Sequence, residues 1–278
     1  MSAIESVAVV GLGLIGGSLA RDLSARGVRV LAYDANAESV RSAMRAGAVT
    51  ESLDASLDGA RDVDVIVLAV PVDAAAGVLA RLAALPLRAR LITDVGSTKR
   101  GIVDAANALS LASRFVGSHP MAGDHRSGWS VSRMGLFRDA VVYLCAPPAA
   151  SRTTLQYATE FWRDLGARPV AIDADEHDRR VAWTSHVPHV VSSALGRALS
   201  RGGLPRRELG PGGRDVTRLA GAAPELWTSI VQDNASEIEP AIRAIEEDLA
   251  ALRAALARSD REGIRAWLSA SRAWFDAS

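Results

Sequence analysis

Gly11-Leu12-Gly13-Leu14-Ile15-Gly16 follows directly on the apolar run Val7 to Val10 and opens onto an apolar helical stretch. Glycines at this spacing permit a tight turn, close approach of backbone to a pyrophosphate, and close packing of the next helix on the strand. The N-terminus of that helix then presents unpaired N–H groups and a partial positive charge to the phosphates. Between strand and helix the pattern indicates a dinucleotide site, with Gly11, Gly13, Leu14, Ile15 and Gly16 at the cofactor. Asp34 ends the second apolar run, about where an acid accepts hydrogen bonds from the adenosine ribose. Its charge repels a 2′-phosphate and no arginine follows immediately, so the expected cofactor is NAD and not NADP. Val70 and Pro71 close a further strand and are expected against the cofactor at the carboxyl edge of the sheet.

Three more segments gather polar groups: Asp94 to Lys99, Ser118 to Gly123, and Ser185 to His189. A fourth, Gly212 to Arg218, lies further on and is followed by Pro224-Glu225-Leu226-Trp227. Lys99 is the sole lysine in a chain whose other basic residues are arginines, which points to a compact ammonium in place of a planar guanidinium. Ser97 has a second reading as the N-cap of a helix beginning near Thr98. Pro188 falls inside the apolar pattern from Val181 to Leu199, where it removes a hydrogen bond to the Thr184 carbonyl and predicts a kink. Cys145 follows an apolar run and reads as a small core residue.

Positioning these groups requires a scaffold of two kinds. Val7 to Val10, Val28 to Tyr33, Val63 to Ala69, Arg90 to Asp94, Phe115 to Gly117, Ala140 to Cys145 and Arg168 to Ile172 read as strands, with helices between most of them. Such alternation predicts an α/β Rossmann-type domain with a parallel sheet over residues 1–173. From Ala174 the β signal stops, and a long helix to about Ser200 opens an all-α domain over residues 174–278. Ile238, Ile242, Ile245, Leu249, Leu252 and Leu256 recur at alternating intervals of four and three, a heptad seam that suits either a bundle core or a dimer-forming helix. Trp267, Trp274 and Phe275 then crowd a final helix near the chain end, where so much aromatic area calls for a partner surface. The 32 basic residues balance 32 acidic ones, which argues against nucleic acid or an anionic membrane as partner. The opening residues lack a signal peptide's features and no apolar run approaches the roughly 20 residues of a membrane span, so the expected location is cytoplasmic. No cluster suggests a metal site.

Taken together, GLGLIGGS, DVGSTK, SHPMAG, SHVPH and GGRDVTR followed by PELW resemble the prephenate dehydrogenase family, which includes arogenate and cyclohexadienyl dehydrogenases. The resemblance runs from about residue 7 to 234. It implies NAD-dependent oxidative decarboxylation of prephenate to 4-hydroxyphenylpyruvate, toward tyrosine, in a homodimer joined through its helical domains. In such a reaction a hydroxyl becomes a carbonyl as hydride leaves, and a neutral histidine is suited to take the proton. His119, read here as a loop residue, is the expected base, with Ser97 hydrogen-bonding the same hydroxyl. By resemblance Ser185 and His189 line the substrate pocket with Trp227, while His186 serves structure. Arg218 is expected to grip a substrate carboxylate, held by Asp215. Many relatives carry a glutamate where this chain has His125, which puts an acid-to-arginine gate in doubt and adds His125 to the candidate pocket. The alternatives are arogenate as substrate, or another two-domain dehydrogenase of the β-hydroxyacid or imine-reductase type. The latter usually places a lysine or aspartate on the interdomain helix. From Ala174 to Ser200 there is no lysine, and the acids cluster at the start, at Asp175, Glu176 and Asp178.

Overall fold

The computed structural model describes residues 4–123 and 126–277; His125 lies outside the described residues. Strands β1 (Ser6–Val10), β2 (Arg29–Tyr33), β3 (Glu51–Ser52), β4 (Val65–Leu68), β5 (Leu91–Asp94), β6 (Phe115–Pro120), β7 (Val141–Cys145) and β8 (Arg168–Ala171) form one sheet in the order β3-β2-β1-β4-β5-β6-β7-β8. Neighbours run parallel except β6 and β7, which are antiparallel. The antiparallel pair departs from the all-parallel expectation: the described residues between β6 and β7 form no crossover α-helix. β3 carries no apolar signal: both its residues are exposed, and it exists only by pairing with Leu31 and Ala32 at the sheet's rim.

Successive side chains of a strand point to opposite faces, and here both faces are covered. Val7 and Val9 pack on one face with Leu19 and Leu23 of α1 (Leu14–Ser24), Val40 of α2 (Ala37–Arg45) and Phe161 and Trp162 of α5 (Arg152–Asp164). Ala8 and Val10 pack on the other with Leu79 and Leu82 of α3 (Val72–Ala83) and Ile102 and Val103 of α4 (Arg100–Ala108). Each fully buried valine or leucine contributes about 1.5–3 kcal/mol, which is why these strands read as unbroken apolar runs.

The remainder is helical: α6 (Ala174–Val181), α7 (Val187–Arg201), α8 (Pro211–Val216), α9 (Pro224–Asp233), α10 (Ala235–Ala257) and α11 (Arg261–Asp276). The long helix expected from Ala174 is interrupted by a π-helical turn, Ala182–His186, just before Pro188. Pro188 cannot donate to the Thr184 carbonyl, and a widened turn accommodates the missing bond. The heptad seam divides. Ile238, Ile242 and Ile245 pack on Ala182, Val187 and Val231, whereas Leu249 and Leu256 are 56% and 58% exposed. Leu268, Trp274 and Phe275 of α11 are exposed as well. Among the described residues no helix is long and apolar enough to cross a membrane, and no group of side chains could hold a metal ion.

Candidate active site

The cofactor cradle is built by β1, the glycine loop and α1. Gly11 has φ +101°, and a Cβ there would lie 2.3 Å from the Ala69 carbonyl oxygen, so the turn tolerates no side chain. At Gly13, by contrast, a Cβ would meet nothing within 4 Å, which leaves the backbone open to an approaching group. Gly13 caps α1 without any side-chain bond, and no acid occupies the first turn of that helix. The first N–H groups therefore face outward unneutralised, a fit for a pyrophosphate. Asp34 accepts from the Leu12 N–H (2.6 Å) and the Asn36 N–H (2.7 Å), so it braces the glycine loop in addition to any ribose contact; each carboxylate oxygen retains a second lone pair. Val70 and Pro71 link β4 to α3 beside this loop, Pro71 as the helix N-cap.

Asp94, at the end of β5, organises the next turn. It accepts from the Gly96 N–H (2.8 Å) and the Ser118 N–H (3.1 Å), and pairs with the Lys99 ammonium. Lys99 is wholly buried, and its ammonium meets the Asp94 carboxylate inside this turn. Ser97 is half-buried in this turn. It does not cap the helix as one reading expected, because α4 begins at Arg100 with Lys99 as N-cap and no side-chain cap bond from its own loop. Asp178 of α6 does that work from the other domain, accepting from the Lys99 N–H (2.8 Å) and the Arg100 N–H (2.9 Å).

His119 is not a loop residue. It sits on β6 opposite Tyr143 of β7 and is 9% exposed. Its Nδ1 lies 2.9 Å from His177 Nε2, and His177 Nδ1 lies 2.7 Å from Asp178 Oδ1. An ionised carboxylate only accepts, so His177 donates from Nδ1; with its ring neutral it accepts at Nε2, and His119 donates from Nδ1. That order leaves the Nε2 of His119 as a free lone pair. Burial, reinforced by the field of Lys99, holds the His119 imidazole well below its ordinary value of 6.5, so it is neutral at pH 7. Burial alone would raise Asp178; hydrogen bonds from His177 and from the Arg100 and Lys99 N–H groups outweigh it and keep the carboxyl below its ordinary 3.8.

The helical domain adds a second cluster. The His189 ring stacks on Trp227 with centroids 3.5 Å apart, and burial, together with the nearby Arg218 cation, lowers its pKa against an opposing hydrogen bond to the Ser185 backbone. His186 is buried and hydrogen-bonded through Nδ1 to Asn234 Nδ2 (3.0 Å), which also donates to the Asp178 carbonyl (2.8 Å). Burial pushes His186 down to about 4, in keeping with a structural role. Asn234 thus joins the two clusters. Arg218 and Asp215 stand apart from this tight packing: their charged atoms are 4.0 Å from each other and the arginine side chain is 66% exposed, so Asp215 does little to fix it. Cys145 is a buried free thiol that burial pushes up to about 12, a core residue.

His177, Asp178 and Asn234 were not legible as site residues. The one signal was an acid cluster at the start of α6, and nothing local ties it to His119. Arg100 was likewise missed; it bridges the domains through Asp175 (2.5 Å), Ser236 (2.9 Å) and Glu237 (2.9 Å).

With this geometry in view, the chain matches two family models, the prephenate dehydrogenase nucleotide-binding domain over residues 19–171 and the prephenate dehydrogenase dimerization domain over residues 173–270. It is 32% identical to a prephenate dehydrogenase of Bacillus subtilis, over 84% of this chain and 65% of that one, so it spans about two thirds of that relative's length. It is 32% identical to a cyclohexadienyl dehydrogenase of Zymomonas mobilis, over 94% of this chain and 91% of the relative. The crystal structure of a prephenate dehydrogenase from A. aeolicus, in complex with hydroxyphenyl propionate and NAD+, superposes with a TM-score of 0.91 at 27% identity, covering 99% of both chains. A nucleotide-binding α/β domain joined to a helical dimerization domain, with both family models matched in sequence order, places this chain in the prephenate dehydrogenase family.

Proposed function

We propose that the chain is an NAD-dependent dehydrogenase that converts prephenate to 4-hydroxyphenylpyruvate with loss of CO2. The observation that carries this reading is His119, neutral and held with its Nε2 lone pair free by the chain through His177 to Asp178. His119 takes the substrate hydroxyl proton, Ser97 hydrogen-bonds the same oxygen, and the proton's charge is stabilised along the histidine pair toward Asp178. When bound, NAD supplies the acceptor for the hydride; Gly11, Gly13, Leu14, Ile15, Gly16 and Asp34 hold it, with Val70 and Pro71 beside them. Ser185, His189, Trp227 and Arg218 bind the substrate. The working division is residues 1–173 for the cofactor and 174–278 for substrate and dimerisation. A cytoplasmic homodimer goes with this reading, the exposed halves of α10 and α11 being the surface a second copy would cover.

Prephenate and arogenate differ in a keto group against an ammonium. Among the described candidates Arg218 is a fixed cation, which serves a keto acid's carboxylate and repels an ammonium, and the neutral His119 and His189 bring no carboxylate to hold one. NADH formation with each substrate tests the reading: kcat/KM for prephenate should exceed that for arogenate by at least about tenfold, roughly 1.4 kcal/mol of differential transition-state binding. A ratio at or below one reverses the substrate. No NADH from either overturns the activity.

Two further results are expected. NAD should be used more efficiently than NADP because Asp34 opposes an added phosphate; equal kcat/KM for the two would remove that role. Arg218→Ala should raise KM for prephenate far more than it lowers kcat, since a carboxylate remote from the reacting carbon is gripped equally in ground and transition states. A KM within about twofold of the parent would reduce Arg218 to a surface cation.

A further inference from the structure

The amino edge of the sheet, at the opposite end of the strands from His119 and Asp94, carries a recess of about 500 Å³ between the segments leading into β5 and β6 and the first turns of α5. Arg88, Arg90 and Arg114 line one side, Thr153 and Tyr157 the other, and no carboxylate is among the lining residues. Each arginine is held by a neighbour: Arg90 Nη2 by Asp64 (2.9 Å), Arg88 Nε by Asp62 (3.2 Å), and Arg114 Nη1 by the Leu87 carbonyl (2.8 Å). A guanidinium has five N–H donors in a planar fork, so these anchors orient the groups without exhausting them.

Tyr157 is the second and independent observation. It is 5% exposed, and its hydroxyl is buried without a hydrogen-bond partner. The Arg90 guanidinium lies over its ring, 4.7 Å from the centroid, and can only donate toward the phenol oxygen, so the phenol's own proton still has no acceptor. Burial raises the phenol's pKa against the opposing field and hydrogen bond of Arg90, so the oxygen keeps its proton and is a donor in want of an acceptor. Buried polar groups are nearly always satisfied, and an orphan in a lined recess points to a ligand atom. The volume falls within the ~300–1,000 Å³ of small-molecule sites, larger than a bare oxyanion needs, and Leu87 and Ala89 give it an apolar flank.

We propose that this recess is a second binding site, for a small organic anion whose carboxylate or phosphate is met by Arg88, Arg90, Arg114 and the Tyr157 hydroxyl. The site goes beyond the dehydrogenase reading and does not depend on it. β5 and β6 begin at this recess and end at Asp94 and His119, so an occupant would sit roughly 15 Å from the chemistry, at the far end of the strands that position it.

Calorimetric titration of the full-length protein, saturated with NAD to occupy the cofactor's phosphate cradle, tests it with benzoate, phenyl phosphate and inorganic phosphate at constant ionic strength. Saturable binding of benzoate or phenyl phosphate is expected, the tighter of the two naming the head group, with inorganic phosphate weaker than phenyl phosphate. Arg88→Gln and Tyr157→Phe should each weaken it at least about fivefold, as loss of one charge-assisted or buried hydrogen bond does, while Arg218→Ala leaves it unchanged. Arg88 is exposed, so Arg88→Gln keeps the test decisive should Tyr157→Phe disturb packing. Absence of saturable binding by all three anions, or binding abolished by Arg218→Ala or by NAD and indifferent to Arg88→Gln, overturns the proposal.

Discussion

Replacing His119 with asparagine is expected to lower kcat for prephenate by about 10²- to 10⁴-fold, the scale of a lost general base, with the Kd for NAD unchanged. Asparagine keeps a donor toward His177 but presents no basic lone pair, and the cofactor cradle is built from other elements. Turnover within about tenfold of the parent, in a protein that melts normally, would mean another group takes the proton. The pH profile is a second readout. Because the imidazole is held well below 6.5, kcat/KM should remain on its plateau through pH 6.5 and decline only in more acid solution. Stability follows the same sign. His119 and His186 bind protons more weakly folded than unfolded, so neither contributes pH dependence above about 6.5. As the pH falls from 6.5 toward the value of about 4 at His186, the unfolded chain takes up protons that the folded one refuses, and stability declines. A midpoint of urea denaturation constant between pH 7 and pH 4.5 would contradict that assignment.

Lys99→Met should cost about 3–5 kcal/mol of folding stability, the typical penalty for removing one partner of a buried ion pair. Lys99 is 0% exposed, and its ammonium is the countercharge of Asp94, itself buried and still needed by the Gly96 and Ser118 N–H groups. Methionine fills the space but leaves the carboxylate alone. Arginine is not a remedy. A Cβ on Gly117 would stand 3.1 Å from Lys99 Cδ, and one on Gly96 3.5 Å from Nζ, so the slot accepts a slim chain with a point charge and has no room for a planar fork. Adding Asp94→Asn to Lys99→Met should recover part of the loss by removing the orphaned charge. Denaturation free energies for the two single variants and the double measure this directly, and a loss below about 1 kcal/mol for Lys99→Met would show that the pair is no more than a surface-grade contact.

The chain matches the nucleotide-binding and the dimerization model in sequence order. Much of that organisation is legible in the sequence. The glycine loop, the apolar strands, the α/β-then-α order and the disturbance at Pro188 depend on neighbours a few residues apart: turn chemistry, side-chain alternation and a missing N–H are local properties of the chain. The position of Asp34, just past the strand one βα unit after the glycine loop, was legible for the same reason, but its hold on the Leu12 N–H was not.

Other features had no local signal. β3 is two exposed residues that become a strand only because β2 offers an edge. His119 looked like a loop residue because Pro120 and Gly123 follow it, yet pairing with β7 carries β6 through it. The heptad seam could not say which of its leucines would find a core within the chain and which would be left outside, since the repeat is the same for both. Above all, the carboxylate that caps α4 comes from a residue 79 positions away, and the imidazole that orients His119 from one 58 positions away. A single sequence specifies residue types and local periodicity. Which distant donor meets which acceptor is decided when the helical half packs on the sheet's carboxyl edge, where burying Asp178 and His177 is tolerable only if each finds the partners that the other domain's turns present.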